Sequence, residues 1–154
     1  MSVYMTSDLH LGHRYAATSR GYSTVDEHDT VIIRNLAALD KRDKLFILGD
    51  VAWNQTSLAL LSEVRATKEM IFGNHDTMSI QKYLAVFDKV HGARMYKDYF
   101  LTHIPIHPQE LYRSKGNIHG HIHKDAATKP LEDSRYFNMN WDFHRKPVLF
   151  TGNF

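Results

Sequence analysis

The sequence predicts a layered α/β or α+β domain, on three observations. From residue 3 to residue 87 strand and helix patterns alternate. Beyond that point the chain carries mostly short strand patterns. Residues of metal-binding or acid–base type gather where the strand patterns stop.

The elements follow in order. "VYMTS" (3–7) reads as a strand, and residues 12–23 as a polar loop. Residues 24–40 read as a helix: Thr24 can cap it, and Val31, Ile32, Leu36 and Leu39 recur at helical spacing. "KLFIL" (44–48) has a buried-strand pattern, 56–66 reads as a helix, "EMIF" (69–72) as a strand and 78–87 as a helix. Short strands are expected near 88–91, 94–96, 98–102, 117–122, 135–141 and 147–150. Neither repeats nor a linker interrupt the chain, so residues 1–154 are expected to form a single domain with no separate cap domain.

Composition narrows the function classes. Hydrophobic residues make up 43% and charged residues 23%, near the globular average, so a real core is affordable at this length. No apolar stretch is long enough to span a bilayer, and Asp8 interrupts any hydrophobic leader, so neither a membrane partner nor a signal peptide is expected. The absence of cysteine excludes disulfides and thiolate metal sites and fits a reducing compartment, and a cytoplasmic location is expected. A net charge of +2 does not suggest a dedicated nucleic-acid binder, and the short clusters 40–44 and 144–146 read as solvated surface. The unusual number is 11 histidines.

Their positions matter more than their number. The first strand pattern runs into Asp8 and His10, the second into Gly49-Asp50, and the third into Gly73-Asn74-His75-Asp76. "YFLT" runs into His103, and "NIHGHIH" carries His121 and His123. The carboxyl edge of an open α/β sheet is where ligands bind. On an extended backbone Asp8 and His10 would point to one side, and so would His121 and His123. Nitrogen and oxygen donors without sulfur suit Mn, Fe, Zn or Ni, and there are more of them than one tetrahedral ion uses. Two ions about 3.5–4 Å apart and sharing a carboxylate would use the set. Glycines 49, 73 and 120 allow sharp turns beside such a cluster.

The ordered motifs Asp8-Leu9-His10, Gly49-Asp50, Gly73-Asn74-His75-Asp76, His103 and Gly120-His121-Ile122-His123 resemble the calcineurin-like metallophosphoesterases, and most closely their compact bacterial and phage members. The likeness extends to "RGYSTVDEHDTVIIRNL", where Arg20 and Tyr22 match an Arg-Pro-Phe-like element, and to the closing "FNMNWDFHRKPVLF". The resemblance implies two packed mixed β-sheets flanked by helices, a metallophosphoesterase-like β-sandwich. It implies two divalent cations, most often Mn²⁺, with Fe, Zn, Ni or Mg as alternatives. Asp8, His10, Asp50 and His123 would hold the first, and Asp50, Asn74, His103 and His121 the second. A dimetal-activated hydroxide would then attack a phosphate ester, monoester or diester, with a nucleotide or a nucleic-acid end among the candidate substrates. His75 would serve the leaving group rather than a metal.

The sequence departs from the family pattern at Trp53, where many members carry an aspartate that orients the catalytic histidine. His13 and Arg20 are the candidate substrate contacts: Arg20 could fork onto a phosphate, or pair with a nearby acid. His119 reads as support for a ligand and His107 as a rim residue. His28, His91 and His144 read as structural or solvated, and Tyr136 and Trp141 as packing. The rival class is a metal- or phosphate-binding module that keeps the fold without turnover.

Overall fold

The computed structural model describes residues 1–124 and 131–154. Its first sheet has the order β4-β3-β2-β1-β9 and its second the order β5-β6-β7-β8. In the first, β1 (Val3–Thr6), β2 (Lys44–Ile47), β3 (Thr67–Ile71) and β4 (Lys89–His91) run parallel, and β9 (Val148–Phe150) pairs antiparallel with β1. In the second, β5 (Arg94–Tyr96) and β6 (Tyr99–Leu101) form a hairpin, and β7 (Gly116–His119) and β8 (Tyr136–Asn138) add in parallel. The hairpin turns on Lys97 and Asp98, both at positive φ, as a two-residue turn matched to strand twist requires.

Alternation along β2 explains why the sheets stack. Leu45 and Ile47 join the core shared with Ile32, Leu36, Leu58 and Tyr83 of the helices, while Phe46 and Leu48 enter the core shared with Leu101, Ile118 and Phe150. Buried on both faces, this strand reads as an unbroken apolar run. The principal helix, α2 (Val25–Ala37), starts where expected: the Thr24 hydroxyl accepts from the Glu27 N–H, and Glu27 reaches back to the Ser23 N–H.

Five expectations are corrected. The loop 12–23 contains a helix, α1 (Arg14–Ser19), capped by His13 Nδ1, which accepts from the Ala16 N–H at 3.1 Å. Its sequence, "RYAATS", has too few apolar residues to show a helical period. The expected strand 117–122 stops at His119, so His121 and His123 lie beyond it. The expected strand 135–141 stops at Asn138. Asn140 then caps a short helix, α5 (Trp141–His144), which buries Trp141. The helix expected over 56–66 is shorter, α3 (Gln55–Ala59) followed by one 3₁₀ turn, and that over 78–87 narrows to α4 (Ile80–Leu84). No described helix is long and apolar enough to cross a membrane.

Candidate metal centre

The parallel strands of the first sheet end on one edge and deliver oxygen atoms there. Asp8 follows β1, Asp50 follows β2, and Asn74 follows β3. The second sheet delivers nitrogens to the same place, with His103 beyond β6 and His121 and His123 beyond β7. Four of these residues reach it in a way the sequence did not suggest. Asp8, His10, Asp50 and His121 have φ of 55°, 49°, 53° and 68°, left-handed rather than extended backbone. Such φ values are uncommon for residues with side chains, so the surrounding structure must impose them.

What imposes them is visible. The Arg20 guanidinium donates to the carbonyls of Asp8 (2.7 Å) and Leu9 (2.9 Å), bracing the first turn from behind. Its Nε donates to Asp142 at 2.8 Å, and its fourth contact is His28 Nε2 at 2.9 Å. With its side chain only 3% exposed, Arg20 is committed inward as a brace and offers no open fork to a phosphate. Asp76 performs the equivalent task on the second turn. Its buried carboxylate accepts from the N–H groups of Asp50 (2.8 Å), Val51 (2.9 Å) and Gly73 (2.7 Å), stapling the ends of β2 and β3 together. Burial pushes this carboxyl up to about 6, against the pull of the three donors.

Two glycines make room. A Cβ at Gly73 would stand 2.2 Å from Asp50 Oδ1, and one at Gly120 would stand 2.4 Å from Asp8 Oδ2. The carboxylates therefore lie directly against backbone. Asp8 Oδ2 accepts from the Ser7 hydroxyl (2.5 Å) and the His121 N–H (3.0 Å), and Asp50 Oδ1 accepts from the His75 N–H (3.0 Å). Each carboxylate keeps its other oxygen turned to the centre.

The donor atoms have the separations that ligands of shared ions require. Two ligands about 2.1 Å from one ion are about 3.0–3.4 Å apart at octahedral to tetrahedral angles. His103 Nε2 lies 3.0 Å from Asn74 Oδ1 and 3.3 Å from Asp50 Oδ2. His121 Nδ1 lies 3.1 Å from Asn74 Oδ1, and His123 Nε2 lies 3.3 Å from Asp8 Oδ1. His10 Nε2 stands slightly wider, 3.9 Å from Asp8 and 3.8 Å from Asp50. Donor atoms of Asp8, His10 and His123 lie within 4.8 Å of one another, and so do those of Asp8, Asp50 and His103. Asp8 thus belongs to both groups, so Asp50 is not the only carboxylate placed between the two halves.

Hydrogen bonds on the far ring nitrogens fix the tautomers. His103 Nδ1 donates to the Leu48 carbonyl at 2.7 Å and His123 Nδ1 to Asp142 at 2.7 Å, which leaves each Nε2 lone pair facing inward. Burial holds His10 down to about 4, neutral and able to ligate. Burial also disfavours charge on His123, but Asp142 and Asp8 outweigh it and raise the ring to about 10. The field at this ring therefore calls for a positive charge, and a cation at Asp8 would take the place of that proton. Asp50 is pushed up by burial, yet His103, the His75 N–H and His10 bring it to about 2. The buried Asp8 Oδ1 has no hydrogen-bond partner among the described residues, a costly state unless a cation faces it. These residues fit divalent cations.

The other expected residues fall around this centre. His75 is exposed, with its ring centroid 5.9 Å from that of His10, and no hydrogen bond reaches its ring among the described residues. Trp53 is 59% exposed and packs edge-on against His13 at 4.5 Å, supplying no orienting carboxylate. His13 lines the cleft beside His10. His119 is buried, its Nδ1 2.7 Å from the Gly120 carbonyl. His28 is wholly buried against Asp29, His91 meets Glu69, and His144 meets the Asn138 carbonyl. Nothing in the sequence singles out Asp142. It lies one residue past the expected strand 135–141, and its two partners, Arg20 and His123, are 122 and 19 residues away.

The chain is similar to known proteins. Gene 66 protein of Mycobacterium phage L5 is 28% identical over 160 residues, spanning 79% of this chain and 77% of its own length. Gene 66 protein of Mycobacterium phage D29 is 36% identical over 85 residues, spanning 49% of this chain and 40% of its own length. The crystal structure of a protein of unknown function from Aquifex aeolicus, AQ665, is similar with a TM-score of 0.78 over 96% of this chain and 95% of that one, at 24% identity, a likeness of fold. The family model for calcineurin-like phosphoesterases matches residues 1–150, so the chain belongs to the calcineurin-like phosphoesterase family.

Proposed function

We propose that the chain hydrolyses phosphate esters using two divalent cations, with Mn²⁺ the first choice. The observation that carries this reading is the convergence of inward-facing oxygen and nitrogen lone pairs whose far sides are tied down by fixed partners. Asp8, His10, Asp50 and His123 would hold one cation, and Asp50, Asn74, His103 and His121 the other. Bound cations would offset the charge of the ester and activate a water for in-line attack.

The chain's own part is orientation and proton delivery. The attacking water would give a proton to solvent; as its P–O bond forms the ester P–O bond breaks, and the leaving oxygen takes a proton from the His75 ring, which solvent then restores. Exposure beside the cluster supports this role for His75, and its Asp50-bound N–H fixes where the side chain starts. The cleft beside the centre, about 520 Å³, is open enough for a diester, so diester hydrolysis should at least equal monoester hydrolysis.

The test compares bis-p-nitrophenyl phosphate with p-nitrophenyl phosphate on the Mn²⁺-loaded protein, and then His75→Ala on good and poor leaving groups. The variant should keep both metals. It should lose little on nitrophenolate and about 10²-fold on an alkyl or ribose alkoxide, the low end for a general acid because no carboxylate orients the ring. Loss of metal would make His75 a ligand, and equal loss on both leaving groups would remove the proton-donor role. No turnover of any ester would favour a binding module.

A further inference from the structure

The cleft is lined by more than the metal centre, and its remaining lining has a chemistry of its own. It is lined by His10, His75 and His123 of the centre and also by Tyr15, Lys124 and Arg145, hereafter its outer arm. Among the described residues the only carboxylate lining it is Asp142, already engaged by Arg20 and His123. Among the described residues neither Lys124 nor Arg145 is paired with a carboxylate, and Arg145 is near enough to Arg20 to disfavour its charge. The outer arm is thus cationic beyond anything the metal centre needs.

The two cations are placed rather than loose. Lys124 Nζ sits over the Phe143 ring, 5.5 Å from its centroid. Arg145 ends α5 at φ 55°, donating its N–H to the Trp141 carbonyl. Glycine or asparagine would make that cap with less strain, so an arginine there is explained by its side chain and not by its backbone. Tyr15, on α1, is 72% exposed, and its ring has no aromatic neighbour among the described residues.

We infer that this outer arm is a nucleotide subsite, in which Tyr15 stacks on the base and Arg145 and Lys124 hold a phosphate other than the one being cleaved. The inference rests on the phosphoesterase reading and names its substrate class. A phosphate one nucleoside away from the scissile one is the simplest anion that could reach both places, and every base offers a face to a tyrosine. A cleft of about 520 Å³ suits one nucleotide, and a net charge of only +2 argues for a nucleotide or a strand end rather than a long nucleic-acid track.

The binding test measures thymidine 3′,5′-bisphosphate, thymidine 5′-phosphate and methyl phosphate on the Mn²⁺-loaded full chain by calorimetry. The expected order is bisphosphate tightest and methyl phosphate weakest. Tyr15→Ala should weaken both nucleotides about 5- to 100-fold, with Tyr15→Phe restoring the affinity. Arg145→Ala should erase the advantage of the second phosphate. A ten-residue oligothymidylate separates the two sources of the ligand. Tighter binding than the bisphosphate, with a salt slope that drops by about 0.7 in Arg145→Ala, assigns a strand end; equal binding assigns a free nucleotide. Equal affinity for bisphosphate and methyl phosphate, or variants that fold by circular dichroism yet keep the wild-type order, would overturn the subsite. Binding in the expected order without ester turnover would instead overturn the hydrolytic reading, so the two failures are distinct.

Discussion

The two sheets contribute to the centre in different ways. The first supplies its oxygens, with the His10 nitrogen beside them, through tight turns, where Asp8 and Asp50 lie against backbone and the space beside them exists only because Gly120 and Gly73 lack side chains. The second supplies imidazoles on longer side chains, whose aim is set by what holds the far nitrogen: a carbonyl for His103, a carboxylate for His123. For Asp8 and Asp50 oxygen placement is therefore a backbone property, while for His103 and His123 nitrogen placement is a side-chain property. Damage to the first half should be severe and hard to relieve, while damage to the second should be graded.

The largest expected effect follows from Asp50→Asn. The amide keeps an acceptor for the His75 N–H but removes the negative charge facing His10 and His103. Metal content should fall, and ester hydrolysis should drop by more than about 10³-fold, several kcal/mol of lost charge stabilisation. Elemental analysis under saturating Mn²⁺ would check it; an unchanged content of two ions per chain would count against the shared-carboxylate arrangement.

Gly73→Ala tests the claim that the oxygen half is set by backbone. The new Cβ would meet Asp50 Oδ1 at 2.2 Å and the Asp50 nitrogen at 2.5 Å, and the latter is backbone that cannot swing aside. A destabilisation of about 1–3 kcal/mol is expected, read as a lower denaturation midpoint, with weaker Mn²⁺ binding. Wild-type stability and affinity would show that this turn yields, and the contrast between the halves would weaken.

Asp142→Asn probes the nitrogen half. An asparagine fills the same space but gives up the charge that holds the His123 Nδ1–H and pairs with Arg20. Losing such a partner behind a metal-ligating histidine typically costs 10–100-fold in metal affinity or activity. The loss should fall at the site supplied by Asp8, His10 and His123 and spare the one supplied by Asn74, His103 and His121, a difference that stepwise Mn²⁺ titration resolves. Equal loss at both would make Asp142 a general structural residue.

Much of this was legible in the sequence for a definite reason. Apolar runs such as "KLFIL" end abruptly at polar residues, and because parallel strands share an edge, naming the strand ends names the site. The capping of α2 by Thr24 was equally local. Other features depend on neighbours that sequence distance conceals. Asp142 acquires meaning only when α5 packs behind the centre, and Arg20 becomes a brace only once the turn at Asp8 and Leu9 forms beside it. Asp76 could not be separated from its neighbours in "GNHD" until its three N–H donors were in place. The left-handed residues were hidden for another reason: two residues apart on a strand and two apart through a strained turn look identical on paper.

Those left-handed residues bear on how this chain could diverge. At positions 8, 10, 50 and 121 the backbone favours glycine or asparagine, while the chain holds two aspartates and two histidines. A descendant released from metal chemistry would gain stability by letting those four drift to the residues its backbone prefers, without altering the sheets at all. Glycine or asparagine at the four places would mark a copy that no longer needs carboxylates and imidazoles at this edge.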